Sequence, residues 1–152
     1  MPLTGTFTRS VDDKQRITIP KELRSALGEQ REGTFYVAPG TDGSLAIYDE
    51  DAFVRLGQRL ADAPPAQRDV RAFGRLFYAQ AHRVELDKQG RLRLPGSLSD
   101  WADLGKEAVL VGVGDHMELW NTARWEKYSG DKQGKYDELA EAAFAYPKRE
   151  GS

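Results

Sequence analysis

The sequence predicts an α+β fold, mostly β, in which two similar β-β-α-β-β-α halves close on each other. Three observations point to it. The first is an internal repeat: Val11-Asp12-Asp13-Lys14-Gln15-Arg16-Ile17-Thr18-Ile19-Pro20 returns 75 positions later as Leu86-Asp87-Lys88-Gln89-Gly90-Arg91-Leu92-Arg93-Leu94-Pro95. The second is a run of short alternating segments, the period of half-buried strands. The third is apolar spacing of three and four residues after each repeat and again near the end of each half, which is the helical period. A repeat on this scale decides how the whole chain is read, so local assignments follow from it.

Taken in order, Thr4–Val11 alternates, with Phe7, Arg9 and Val11 on one side and Thr6, Thr8 and Ser10 on the other, and reads as a strand. Asp12–Gln15 is a turn and Arg16–Ile19 a short second strand, so the two are expected to form a hairpin with charge at its tip. Pro20 suits the first position of a helix, since no N–H is needed there. Leu23 and Leu27 form its apolar stripe, and Gly28 is the expected stop. Thr34–Ala38 and Leu45–Tyr48 are two further strands around the turn residues Pro39-Gly40-Thr41-Asp42-Gly43. Asp49 is placed to cap a helix carrying Phe53, Leu56 and Leu60, which Ala63-Pro64-Pro65 ends. Gln67–Phe77 reads as a short connecting helix with Val70, Phe73 and Phe77 inward.

The second half repeats the plan. Tyr78–Leu86 is a strand, Asp87–Gly90 a turn and Arg91–Leu94 a strand; Gly96–Leu104 is a helix closed by Gly105. Ala108–Val113 and Met117–Trp120 pair across Gly114-Asp115, and Asn121 is expected to cap a helix bearing Trp125 and Tyr128. Tyr136–Phe144 is a weaker helix, and the charged end beyond it is expected to be disordered. The divisions are therefore residues 1–62 for the first half, 63–76 for the connecting helix, 77–130 for the second half and 131–152 for the C-terminal helix and tail. Two such halves can close on each other as two copies of a small homodimer would, so the expected architecture is a fused, pseudo-twofold dimer.

Composition narrows the chemistry. The 152 residues can bury a real core. Cysteine is absent, which removes disulfides and thiolate metal sites. No apolar run approaches membrane-spanning length, so no membrane partner is expected and a cytoplasmic protein is the default. Lys and Arg number 22 against 24 Asp and Glu, a net charge of −2. That balance argues against nonspecific coating of nucleic acid and leaves room for a local basic patch.

No catalytic, metal or cofactor constellation stands out, and the chain is not expected to be an enzyme. His82 falls in the apolar register of a strand, where a partly buried structural role is expected; His116 follows a hairpin turn and is expected to face solvent. Gly112-Val113-Gly114 lies between strands and opens no helix, so it fails as a phosphate loop. A single Asp-x-x-x-Arg is an ordinary solvated turn. Two at matched positions would set Lys14, Arg16, Lys88, Arg91 and Arg93 on related parts of the surface. Arg pairs bidentately with phosphate or the guanine edge, and a two-stranded ribbon fits a major groove. Asp12 and Asp87 would repel phosphate, so their expected role is to order the turns and aim the Arg side chains.

The doubled Asp-x-Lys-Gly-Arg-x-x-x-Pro pattern, each followed by a short helix, resembles the MraZ family of bacterial proteins, built from two SpoVT-AbrB-type halves. The likeness runs from Gly5 to about Tyr128. It implies one AbrB-like barrel, swapped-hairpin and double-psi-like, with flanking helices. It implies a sequence-specific transcriptional regulator of double-stranded DNA, reading direct repeats before the cell-division and cell-wall gene cluster, associated with the nucleoid and assembled as a ring-shaped homo-oligomer without cofactor. Lys14, Arg16 and Arg91 fall on the family's DNA-contacting positions. Gln15 stands where the pattern has Gly, which Gly90 keeps, so the first turn must do without glycine's freedom or hold Gln15 at positive φ. In the second motif the Lys comes one place earlier, at Lys88. The rival reading is a protein-interaction or antitoxin-like module of the same fold, its charged tips gripping an acidic partner.

Overall fold

The computed structural model describes residues 2–27 and 33–145. The chain divides into two compact units, Met1–Thr122 and Ala123–Ser152. The first contains β1 (Thr6–Ser10), β2 (Arg16–Thr18), α1 (Lys21–Leu27), β3 (Thr34–Pro39), β4 (Leu45–Asp49), α2 (Glu50–Asp62), α3 (Arg68–Gln80), β5 (His82–Glu85), β6 (Arg91–Arg93), α4 (Gly96–Trp101), β7 (Glu107–Gly112) and β8 (Met117–Asn121). α5 (Thr122–Gln133) leads into the second unit, which also holds α6 (Tyr136–Phe144). The fold is α+β, and the order β-β-α-β-β-α stands on either side of α3. Gly28 and the charged end after residue 145 lie outside the described residues, as does the side chain of Leu27.

The halves interleave. Six strands form one antiparallel sheet in the order β1-β7-β8-β4-β3-β5, and β2 pairs with β6 in a separate two-stranded ribbon. Exchanging each strand for its counterpart in the other half reverses the sheet order and leaves it otherwise unchanged. The register follows the same rule: Phe7 pairs with Leu110 as His82 pairs with Val37, and Leu45 with Leu119 as Met117 with Ile47. In the ribbon Ile17 faces Leu92, its own counterpart.

Two expectations about strands are overturned here. β1 and β2 do not pair as a hairpin; β1 joins β7 and β2 joins β6, each from the other half. An isolated hairpin is marginal in water, whereas the exchange puts Ile17, Ile19, Leu92 and Leu94 in one core with Phe35, Val37, Leu45, Ile47, Leu110 and Leu119. Nor do the strands close into a hydrogen-bonded barrel: the sheet is open, with β1 and β5 at its edges.

The helices correct two more boundaries. α3 runs to Gln80, so Tyr78–Gln80 are helical and not strand. The helical period wins because it places Phe77, buried, against Phe53 and Tyr48, while Phe73, expected inward, is 50% exposed. α4 ends at Trp101, three residues early. Asp103 takes φ 52°, the Asp103 N–H donates to Asp100 O and the Leu104 N–H to Ser99 O, which is a Schellman stop made without Gly105. At the start of α2, by contrast, Asp49 Oδ1 accepts the Ala52 N–H at 2.7 Å, the cap its position suggested.

Leu23 and Leu98 occupy counterpart places on α1 and α4 and are 2% and 0% exposed; Leu104 is half-buried against the same core. Leu23→Ala should cost about 2–5 kcal/mol in denaturant unfolding, and Leu98→Ala a similar amount. A loss below about 1 kcal/mol for either would contradict the packing described.

Candidate nucleic-acid interface

Each repeat builds the same turn from the same bonds. Asp12 Oδ1 accepts the backbone N–H of Lys14 and of Arg16, both at 2.9 Å, and Oδ2 accepts Arg16 Nε at 2.8 Å. Asp87 repeats this with the N–H groups of Gln89 and Arg91 at 2.9 Å and Arg91 Nε at 2.7 Å. The backbone closes both turns alike, Gln15 N to Asp12 O and Gly90 N to Asp87 O at 3.0 Å. Gly90 takes φ 75° and Gln15 takes φ 61°, so the first turn holds a side-chain residue in left-handed backbone.

The turns are tied across the halves. The Ile19 N–H donates to Gly90 O at 3.0 Å, and the Leu94 N–H to Gln15 O at 2.8 Å. Along the ribbon Ile17 and Leu92 point inward and are fully buried. Side chains alternate along a strand, so Arg16, Thr18, Arg91 and Arg93 share the outer face. Arg16 stands opposite Arg93, and Thr18 opposite Arg91. The structure thus brings Arg16, Arg91 and Arg93 onto one face of one ribbon, with exposed Lys14 and Lys88 on the turns at its two ends. Arg93, from the second motif, lies beside the first turn; it lines a shallow depression with Asp13, Lys14, Gln15 and His82.

The carboxylates leave most of each guanidinium available. Among the described residues only the Nε of Arg16 and of Arg91 is hydrogen-bonded, one of five donors each. The bonds also move the acids. At Asp12 desolvation raises the carboxyl, but the bonds from Arg16 and Lys14 outweigh it and the net position lies below the ordinary 3.8. At Asp87 the Arg91 N–H is the largest influence and the net position is again lowered.

The two histidines stand differently from expectation. His82 is exposed, because β5 is an edge strand with no layer over that position. His116 is half-buried: its Nδ1 lies 2.7 Å from Asp115 Oδ1 and its ring stacks on Tyr48 at 4.9 Å. It lines a separate cleft of about 560 Å³ with Arg55, Arg59, Phe73, Phe77, Asp115 and Glu118, where burial, with Asp115 and Glu118, pushes the Tyr48 phenol up to about 12. Sequence reasoning missed Arg24 and Ser99 altogether. Both lie on helices outside the repeated motif, and only superposing the halves sets them opposite each other.

The comparisons with known proteins meet this geometry. The family model described as "MraZ protein, putative antitoxin-like" matches residues 3–76 and again 77–145, one copy on each half. The chain belongs to the MraZ family. Its relatives include the "Transcriptional regulator MraZ" of Alkaliphilus oremlandii, 41% identical over 136 residues that cover 90% of this chain and 92% of the relative. The proteins of the same name from Moorella thermoacetica and Limosilactobacillus reuteri are 39% and 40% identical over 137 and 139 residues, covering 90% and 91% of this chain and 93% and 95% of theirs. Among the described residues no helix is long and apolar enough to cross a membrane.

Both turn carboxyls should titrate below 3.8 in the folded chain. A depressed folded pKa means that the turn's contribution to stability is complete above the ordinary carboxylate range and is lost as pH falls through the folded value. Carbon-detected NMR titration reads this directly. Arg16→Ala should return the Asp12 midpoint toward 3.8 and leave Asp87 low; a wild-type midpoint at or above 3.8 for either acid would contradict the bonds described.

Proposed function

We propose that the chain is a sequence-specific DNA-binding transcriptional regulator, and that the ribbon β2–β6 with its two turns is the DNA-reading face. The observation that carries this reading is the outward face itself: Arg16, Arg91 and Arg93 on one short ribbon, flanked by Lys14 and Lys88, on a chain of net charge −2. A two-stranded ribbon fits the major groove, and Arg donates bidentately to phosphate or to the guanine edge. Asp12 and Asp87 order the turns and hold Arg16 and Arg91 without contacting DNA. The two halves act as a fused dimer around one shared core. The names of the relatives support the regulatory role.

A handful of cations per protomer gives modest affinity, each phosphate contact adding a salt slope of about −0.9. Specific regulators need a large margin over nonspecific DNA. A homo-oligomer supplies it, because the second contact becomes intramolecular once the first has formed. We therefore take the working form to be a ring-shaped homo-oligomer reading direct repeats, and by family the target is the DNA before the cell-division and cell-wall gene cluster, at the nucleoid.

Arg16→Ala should weaken specific binding by about 1–3 kcal/mol in a shift assay with competitor DNA, with unfolding within about 0.5 kcal/mol of wild type. Unchanged operator affinity would remove Arg16 from the site. Absence of any specific retention by the wild type would favour a protein-interaction module. On DNA with two repeats in helical phase, about 10–10.5 base pairs apart, binding should be much tighter than on one repeat. Adding about 5 base pairs between them should abolish most of that gain, since the second repeat turns away from its subunit. Equal affinity for all three DNAs would contradict the oligomeric mechanism.

A further inference from the structure

The two turns differ in a way that backbone conformation does not explain. Gln15 and Gly90 stand at the same place in the repeat and both take left-handed φ. A side chain is therefore tolerated there, and glycine in the second turn answers to something else. A Cβ built on Gly90 would stand 2.6 Å from Arg24 Nη1 and 2.9 Å from its Cζ. The guanidinium of Arg24, on α1, lies in the space a side chain would take. At the counterpart place α4 carries Ser99, short and buried, which donates to Gln15 Oε1 at 3.2 Å. Each helix backs the other half's turn, and the pairs match in size: long Arg24 against Gly90, short Ser99 against Gln15.

Arg24 has no hydrogen bond or ion pair among the described residues. Its Nε is buried without a hydrogen-bond acceptor among the described residues, and an unpaired buried donor is costly. It lines a cavity of about 250 Å³ together with Lys88, Asp87, Gly90, Phe35 and Leu86. Among the described lining residues the carboxylate is Asp87, and it is engaged with Gln89 and Arg91. Two cations thus converge beside a turn whose acid is already committed. At the first turn the counterparts of Lys88 and Arg24 are Asp13 and Ser99, an acid and a neutral group. Behind the second turn, therefore, an oxyanion meets two cations that the same place behind the first turn lacks.

Resting on the DNA-binding reading above, we propose that Arg24 and Lys88 hold one backbone phosphate beside the second turn, with no equivalent contact at the first. The consequence is polarity. A pseudo-twofold molecule with equal turns would read a site alike in both directions. Unequal turns orient each protomer on the duplex, so protomers facing the same way fit repeats that run in one direction.

The test uses the full chain and a duplex with two in-phase repeats obtained by selection from random DNA. Binding is followed from about 50 to 200 mM salt, and the contacted phosphates are mapped by ethylation interference. Two variants are compared with wild type: Arg24→Ala, and the double change Gly90→Gln with Arg24→Ser, which copies the first turn's pair and guards against loss of the fold. In both, the salt slope per bound protomer should shrink by about 0.9, and interference should disappear on one side of each repeat only. An unchanged slope and unchanged interference would overturn the proposal, whether or not affinity falls, because a mere buttress would leave both in place. Loss of interference on both sides would overturn the polarity. A wild type that selects no sequence fails before any variant is made, which marks the failure of the DNA reading itself and takes this proposal with it.

Discussion

Everything in the first unit depends on the pairing of β2 with β6, one three-residue strand from each half. Its inward residues, Ile17 and Leu92, are fully buried and face each other. Its outward residues include Arg16, Arg91 and Arg93, three of the six cations proposed to meet DNA. Its ends are the two Asp–Arg turns, each held by a hydrogen bond from the half that did not make it. A half separated from its partner would lose the ribbon, three strand pairings of the sheet and the support under its own turn. The halves therefore fold as one body, and the core, the ribbon and both turns form together.

The turns show how acidic residues can serve a surface proposed to meet an anion. Asp12 and Asp87 each spend one oxygen on two backbone N–H groups and the other on one arginine Nε. The backbone bonds fix the turn, and the guanidinium is held by its near nitrogen with its far end uncommitted. Ordering arginine beforehand reduces the entropy lost when it binds. The acids act at the base of the projection, and the bonds that lower their pKa are the ones that aim the arginines.

Much of this was legible from residues alone, because the repeat fixes the element order and short alternating runs fix most strands. For Gln15 the residues leave two outcomes open, a turn without glycine's freedom or a side chain at positive φ, and the structure takes the second. Pairing partners were not. A strand such as Arg16–Thr18 carries its face pattern in its sequence but no mark of which strand completes it, and the adjacent β1 was the natural guess. The end of α3 was misjudged because Phe77 and Tyr78 suit either period, and only the aromatic cluster around Phe53 decides for helix. The stop of α4 fell on Asp103 where Gly105 was the local signal. His116 was placed in solvent because its stacking partner, Tyr48, is distant in sequence. Arg24 carries no motif and acquires meaning only from the turn of the other half.

The claim at the centre is that both turns and the ribbon between them form one DNA-reading face. Amide hydrogen exchange of the full chain, with and without a duplex carrying selected repeats, tests it most directly. The account predicts added protection concentrated at residues 12–18 and 87–93 together, with the α2–α3 cleft unaffected. Protection of one turn without the other, or protection centred on the Arg55–His116 cleft, would contradict it.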